Sequence, residues 1–165
     1  MDFSNDRVFQ GLSTTQIAEV VAACREETRD KDTELITMGA RGTCLYFLLE
    51  GELRVFLPGK EQGHVATLTA PAVVGEMEYL TGLPRSASVM AATPVRLLSL
   101  SFEALKKRLE ADDPAMLKVM YNIATVLALR LAATMTKLAE IEKTSAARPE
   151  ELLAFRQKLF SDWSF

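Results

Sequence analysis

The sequence is poor in histidine and cysteine, the residues that build many metal and nucleophilic sites. Its 165 residues include one histidine, His64, and two cysteines, Cys24 and Cys44. A single imidazole cannot form a multi-histidine zinc or iron site, and it argues against most hydrolase triads. Two cysteines outside any CxxC pair form no disulfide framework, and we interpret both as reduced packing residues of a cytoplasmic protein. The composition therefore predicts no enzyme, no catalytic residues and no metal site.

A positive charge excess and a long uninterrupted apolar run are also missing. The chain has 19 Lys+Arg against 22 Asp+Glu, so its net charge is −3. Such a chain has no general electrostatic attraction to nucleic acid. The acidic N-terminus lacks the apolar region of a secretory signal. The most apolar long stretch, Tyr121 to Met135, is interrupted by Arg130 and is short for a membrane span. We expect no nucleic-acid partner, no secretory signal and no membrane span.

The central part of the chain has the pattern of a β domain. Seven of the eight glycines lie between Gly39 and Gly82, where they separate short apolar segments. Many short strands joined by glycine-rich turns predict a β-sandwich, barrel or jelly roll over residues 33–100. A helix precedes this region, since Ser13 and Gln16 have the spacing of a capping box. The predicted class is α+β, mostly β.

A long helix is predicted to follow, from Pro114 in its first turn to about Lys143. Eight of its residues repeat at alternating spacings of 3 and 4, which defines an a/d stripe over almost four heptads. The stripe consists of Leu117, Met120, Ala124, Leu127, Leu131, Thr134, Leu138 and Ile141. Ile123, Val126 and Leu129 lie off the stripe and could pack onto the β domain. The stripe predicts a parallel homodimer, and the alternative is that it docks within its own chain.

The last residues form a separate short element in this interpretation. Residues 145–149 interrupt the helical pattern, and residues 150–163 resume it. We therefore predict one domain over residues 1–144, which includes the long helix, and a helical tail over residues 145–165. The apolar face of the tail, with Phe155 and Trp163, could pack, cover a pocket or dock another protein.

The chemically informative segment lies between residues 73 and 89. Gly75 follows a predicted strand, and the helical turn that begins at Glu76 would leave backbone N–H groups facing outward. Arg85 would start the next strand, from which Ser86 and Ala87 could present further amides. A carboxylate accepts hydrogen bonds from sugar hydroxyls, whereas a guanidinium binds phosphate oxygens. This combination suits a ligand with one phosphate and one ribose hydroxyl.

Gly75-Glu76-Met77 and Arg85-Ser86-Ala87 resemble the phosphate-binding cassette of cyclic nucleotide-binding domains, the sensor modules of the catabolite activator protein and of cyclic-nucleotide-dependent kinases and channels. About residues 8–143 fit the family's order of elements. The resemblance implies a β-roll, or jelly-roll sandwich, with an N-terminal helix, a short cassette helix and a long C-terminal dimerisation helix. We call residues 75–87 the cassette.

The resemblance also implies a role for individual residues. Glu76 would hold the ribose 2′-hydroxyl and Arg85 the cyclic phosphate. The amides of Ser86 and Ala87, with the turn at Gly75, would complete the anion site. Polar residues of the long helix contact the purine in dimeric relatives, which makes Thr134 a candidate. The expected ligand-binding residues are Gly75, Glu76, Met77, Arg85, Ser86, Ala87 and Thr134.

Two features depart from the family's pattern. Glu78 stands where relatives usually carry a small apolar residue, and its charge could weaken ligand binding or could point to solvent. The family's activators continue into a helix-turn-helix domain, whereas 22 residues follow Lys143 here and show no basic face. The resemblance therefore does not extend to DNA recognition.

Two functions remain open at this point. The first is a stand-alone cytoplasmic sensor that binds cAMP or cGMP, moves its C-terminal helix on binding and signals to an unidentified effector protein. Ser86 favours cAMP over cGMP, because threonine after the arginine tends to accompany cGMP in the family. The alternative is a non-binding structural or interaction module of the same fold, related to sensor domains appended to bacterial anion transporters. In that case Arg85 could be an ordinary surface salt-bridge partner of Glu76 or Glu78.

Overall fold

The computed structural model describes residue 3, residues 6–57 and residues 64–144, with the side chains of 141–144 left aside. The predicted tail over residues 145–165 lies outside the described residues. The chain divides into two units, one ending at Ala124 and one beginning at Thr125. The β domain belongs to the first unit. A long helix, Pro114–Thr144, begins in the first unit and ends in the second.

Within the described residues, eight strands form two four-stranded sheets, in which all neighbouring strands are antiparallel. The strands are β1 (Arg25–Arg29), β2 (Glu34–Ile36), β3 (Cys44–Glu50), β4 (Glu52–Phe56), β5 (Ala66–Thr69), β6 (Ala72–Val74), β7 (Ser88–Ala91) and β8 (Val95–Ser101). One sheet has the order β1-β8-β3-β6 and the other β2-β7-β4-β5. The predicted class, mostly β with flanking helices, is confirmed.

The β region begins earlier than the sequence pattern suggested. Strand β1 has the sequence Arg-Glu-Glu-Thr-Arg and lies at the edge of its sheet, paired with β8. An edge strand with exposed side chains needs no apolar residues, so its charged sequence gave no strand signal. The observed β region therefore starts at Arg25 instead of Thr33.

The core is built from residues of both sheets. One cluster of buried apolar residues contains Ile36, Leu48, Leu53, Val74, Val89, Ala91, Val95 and Leu97. Strand β3 buries side chains on both of its faces, because Leu45 and Phe47 on one face and Leu48 on the other are fully buried. Phe9, from the 3-10 turn Arg7–Phe9, lies with its ring centre 5.4 Å from that of Phe47.

In the part of the chain that the structure describes, four α-helices accompany the sheets: α1 (Thr14–Ala22), α2 (Glu76–Thr81), α3 (Phe102–Glu110) and α4 (Pro114–Thr144). The capping box at α1 is confirmed, because the Gln16 N–H donates to Ser13 Oγ at 3.2 Å and the Ser13 N–H donates to Gln16 Oε1 at 2.9 Å. The start of α4 at Pro114 also agrees with the prediction. These boundaries were predictable because caps are local interactions.

The first turns of α4 contribute to the core of the first unit. Met116, Val119 and Ile123 are fully buried, and the amide of Asn122 donates to the carbonyls of Val8 and Gln10 at 2.9 Å each. Of the off-stripe residues expected to pack, Ile123 is therefore buried. Leu129, in contrast, is 46% exposed.

Helix α4 also bears on the expected absence of a membrane span. By length and composition alone, its part from Pro114 to Glu140 is long and apolar enough to cross a membrane. This is weak evidence for a span, because core helices of soluble proteins pass the same test. The absence of a span remains a prediction.

One carboxylate joins the start of α4 to the end of α3. Asp113 Oδ1 accepts hydrogen bonds from the N–H groups of Ala115 and Met116, at 2.9 and 3.2 Å. Its Oδ2 pairs with Arg108, which also donates to the carbonyl of Glu19 at 2.8 Å. Burial alone would raise the pKa of Asp113, but the hydrogen bonds and charge of Arg108 and the two backbone donors outweigh it, so the pKa is lowered.

We predict that Asp113→Ala lowers the free energy of unfolding by about 1–2 kcal/mol, because it removes a helix cap. A carboxyl whose pKa is lowered by folding stabilises the protein above its unfolded pKa of about 4. The difference in the free energy of unfolding between Asp113→Ala and wild type should therefore be constant near neutral pH. It should shrink as the pH falls below about 4. Urea unfolding at several pH values measures it. Asp30→Ala, the same change at an exposed turn, is the control, and an equal effect in both variants would contradict the capping role.

Candidate functional site

The cassette begins and ends its short helix with left-handed glycines. Strand β6 ends at Val74, Gly75 has φ of 82°, α2 runs over Glu76–Thr81, and Gly82 has φ of 69°. Side chains with a Cβ rarely adopt this backbone conformation, so glycine permits both sharp turns. The helical turn that the sequence placed after Gly75 is thus observed.

Arg85 does not start a strand, in contrast to the sequence interpretation. Strand β7 begins at Ser88, three residues later. The backbone of Arg85 instead pairs with the loop between β2 and β3: its N–H donates to the carbonyl of Ala40 at 3.0 Å, and its carbonyl accepts from the N–H of Gly39 at 2.9 Å. The residues from Arg85 to Ala87 therefore belong to a connection held by this loop.

The guanidinium of Arg85 is buried and bound by groups of the chain itself. Arg85 is only 7% exposed. Its Nη1 donates to the carbonyl of Gly75 at 2.7 Å, and its Nη2 donates to the carbonyl of Cys44 at 2.6 Å. Its Nε lies 3.0 Å from Glu78 Oε2, and its Cζ lies 5.6 Å from the ring centre of Phe102. Arg85 does pair with Glu78, as one alternative held, but in the interior and not at the surface.

Glu78 is also buried, so it does not point to solvent. It is 7% exposed, and its two carboxylate oxygens accept from the N–H of Gly42 at 3.0 and 2.9 Å. A second cation, Arg41, approaches to 4.0 Å with a side chain that is 67% exposed. Glu78 thereby connects the cassette helix to the β2–β3 loop as well as to Arg85.

Gly42 provides the space that Arg85 occupies. A Cβ built on Gly42 would lie 1.9 Å from Arg85 Nη2, far inside the closest contact that real atoms make. Sequence reasoning missed this residue and also missed Phe102 and the Cys44 carbonyl as neighbours of Arg85. The available signal for Gly42 was a glycine two residues before an apolar strand, which by itself does not reveal what fills the space beside it.

The structure brings most of the expected site residues together. Glu76, in the first turn of α2, is 3% exposed. Met77 is largely exposed, and its Sδ lies 3.5 Å from the hydroxyl of Ser86. Gly75 contacts Arg85 through its carbonyl, and Ala87 follows Ser86 directly in the chain.

Thr134, the remaining candidate, belongs to the long helix α4. It lies beyond Ala124 in the second unit, and its hydroxyl donates to the carbonyl of Arg130 at 2.8 Å, one turn earlier in α4. Its expected contact with the purine stays a prediction.

In the part of the chain that the structure describes, no group of three or more His, Cys, Asp or Glu side chains could hold a metal ion.

The contacts described above do not use every N–H group of Arg85. A guanidinium has five N–H donors, and the contacts to Gly75, Cys44 and Glu78 use three of them. Backbone N–H groups at the start of α2 add partial positive charge. However, the buried cation already has a carboxylate beside it, so a ligand phosphate would have to share Arg85 with Glu78.

Comparisons with known proteins agree on the family. A family model described as "Cyclic nucleotide-binding domain" matches residues 26–112, just over half of the chain. A solved cyclic nucleotide-binding domain from Methylobacillus flagellatus superposes with a TM-score of 0.73 at 26% identity, covering 86% of this chain and 79% of that one.

Two curated relatives are much longer proteins. "Glutaminase 1" of Bradyrhizobium diazoefficiens is 33% identical over 83% of this chain. A "Cyclic nucleotide-gated potassium channel" of Mesorhizobium japonicum is 37% identical over 56% of this chain. The matched part is 22% of the glutaminase and 25% of the channel. The chain thus corresponds to about a quarter or less of these proteins.

We predict that Gly42→Ala destabilises the protein by about 1–3 kcal/mol, because the new methyl group must displace a buried, fixed guanidinium. The clash should depend on Arg85, so Gly42→Ala should cost less in an Arg85→Ala background than in the wild type. Urea unfolding of the four proteins of this double-mutant cycle measures the coupling. Additive effects would contradict the close contact. Gly39→Ala, which adds a methyl group with nothing within 4 Å at a left-handed glycine, measures backbone strain without a clash.

Proposed function

Because the chain belongs to the cyclic nucleotide-binding domain family, we propose that it is a regulatory protein that binds a cyclic nucleotide at its cassette. The observation that carries this proposal is the buried guanidinium of Arg85, which donates to the carbonyl of Gly75 directly before Glu76 at the start of α2. The family is regulatory and not catalytic, and we propose that this chain has no enzymatic activity of its own. The name of the glutaminase relative describes that protein and not this chain.

In this proposal Arg85 binds the cyclic phosphate and Glu76 the ribose 2′-hydroxyl. Among the described residues, the contacts of Arg85 use three of its five N–H groups. Charge-assisted hydrogen bonds to phosphate are among the stronger ones. Glu76 lies in the first turn of α2, one residue after the left-handed turn at Gly75. The amides of Ser86 and Ala87 and the neighbouring Met77 complete the site.

We propose cAMP in preference to cGMP as the ligand. The residue after Arg85 is Ser86, and its hydroxyl is directed to Met77 Sδ at 3.5 Å. A hydroxyl at this position can also serve cGMP, so the preference rests on serine being present in place of threonine. Thr134 is the candidate contact to the purine.

We further propose that the protein is a cytoplasmic homodimer and that ligand binding moves α4, which then signals to an effector protein. The a/d stripe supports the dimer, because Leu117 and Leu131 are each 47% exposed although both are large and apolar. A ligand can move a helix only if it binds the two positions with different affinities; a factor of 100 corresponds to about 2.7 kcal/mol. Residues 1–144 form the sensing domain in this proposal and residues 145–165 its tail, with neither a DNA partner nor a membrane span.

One observation favours the second candidate, a module of the same fold that binds no nucleotide. Glu78 already neutralises Arg85 inside the cassette, so the ion pair could serve stability alone. A direct measurement of cyclic nucleotide binding distinguishes the regulatory protein from the non-binding module.

We predict that cAMP or cGMP at about 100 times its Kd stabilises the protein by about 2.7 kcal/mol, which raises Tm by roughly 5–10 °C for a chain of this size. Arg85→Lys keeps the charge but loses the forked donors, and it should weaken binding by roughly 10- to 100-fold. Arg96→Lys, which alters an arginine paired with Glu26 and Glu50, is the matched control. Unchanged Tm with both nucleotides at millimolar concentration would favour the non-binding module.

The dimer is tested separately. We predict that Leu127→Asp, which places a charge on the a/d stripe, converts a dimer into a monomer in sedimentation equilibrium, because an unpaired charge in a coiled-coil contact is costly. Ala132→Asp, an exposed position off the stripe, should leave the mass unchanged. If Leu127→Asp has the mass of wild type, the stripe is not the dimer contact.

A further inference from the structure

The cassette contains one buried carboxylate more than the proposed ligand contacts require. Glu76 is assigned to the ribose, and Arg85 to the phosphate. Glu78 has no such role, yet it is 7% exposed and directly paired with Arg85. With two carboxylates and one guanidinium, these three residues have a formal charge of −1 before an anionic ligand arrives.

The contacts of Glu78 show that it is a specific partner of Arg85. Its carboxylate lies 3.0 Å from Arg85 Nε and accepts from the Gly42 N–H through both oxygens. A carboxylate held in this way cannot turn out to solvent without losing both partners. Arg41 offers little compensation, because it is mostly exposed and 4.0 Å away, where solvent screens its charge.

A phosphate that binds Arg85 therefore meets Glu78 across the same guanidinium. Like charges that share one cation in a poorly hydrated site repel each other, and the repulsion is stronger than it would be in water. In the ligand-free protein, by contrast, Glu78 stabilises the fold, since removing one partner of a buried ion pair leaves the other charge uncompensated. The same residue thus has opposite effects on the two states.

We propose that Glu78 is an internal counter-ion that competes with the ligand phosphate for Arg85 and thereby lowers the affinity of this protein for cyclic nucleotides. This inference rests on the proposed function. Glu78 acts through Arg85, and so it is a residue that sets the ligand threshold without contacting the ligand. It also explains how an intact cassette accommodates a charge where relatives carry a small apolar residue.

The test compares the affinities of wild type and Glu78→Gln for cAMP and cGMP by calorimetric titration, together with the Tm of each ligand-free protein. Glutamine keeps the size of the side chain and an oxygen that can accept from Gly42, but removes the charge. We expect Glu78→Gln to bind at least tenfold more tightly and to melt at a lower temperature without ligand. If Glu78 had a merely structural role, Glu78→Gln would lower both the Tm of the ligand-free protein and the affinity for the nucleotide.

Glu50→Gln is the matched control, because Glu50 also pairs with an arginine, Arg96, but does so at the surface and away from the cassette. It should leave affinity unchanged. If Glu78→Gln fails to fold, Glu78→Ala provides the same loss of charge with less volume, and the same increase in affinity is expected.

The outcomes separate this inference from the proposed function. Tighter nucleotide binding by Glu78→Gln than by wild type supports the counter-ion role of Glu78. Binding by Glu78→Gln when wild type shows none supports it as well. Equal or weaker binding in Glu78→Gln, with wild type binding a cyclic nucleotide, overturns the counter-ion and leaves the proposed function intact. No binding of either nucleotide by wild type, Glu78→Gln or Glu78→Ala overturns both.

Discussion

The cassette depends on the burial of one guanidinium between two loops. Arg85 is paired with Glu78 and donates to the carbonyls of Gly75 and Cys44. These contacts tie the cassette helix, strand β3 and the β2–β3 loop to one side chain. Because a buried charge is tolerated only with partners, the surrounding backbone is constrained to supply them. The site that the family uses for a ligand is thus also a structural junction.

This double use affects how binding and folding are related. A ligand phosphate would add an anion to a cation that already has one, so ligand affinity and stability would both depend on the charge of Arg85. Glu78 would then stabilise the ligand-free form. The binding free energy of a cyclic nucleotide would have to exceed that stabilisation. Under the proposed function, the protein would respond only when the nucleotide concentration is high enough to offset an interaction within the protein.

Local features could be predicted from the sequence with good accuracy. The capping box at Ser13 and the start of α4 at Pro114 depend on neighbouring residues, and the structure confirms both. The helical turn after Gly75 belongs to the same group. Strand β1 was missed because an edge strand of charged residues has no apolar alternation. The strand expected at Arg85 starts at Ser88, because the backbone of Arg85 pairs with a loop distant in sequence.

The sequence alone determined the family, the mostly β class and the residues of the cassette, since each is carried by short motifs and their spacing. The tertiary structure decided where Glu78 points, because its partners are Gly42, 36 residues earlier in the chain, and Arg85, across a turn. It also decided that Gly42 must lack a Cβ, since the atoms that fill this space belong to Arg85. Such contacts join residues far apart in the chain, and no local pattern of charge or hydrophobicity specifies which side chains will share one buried space.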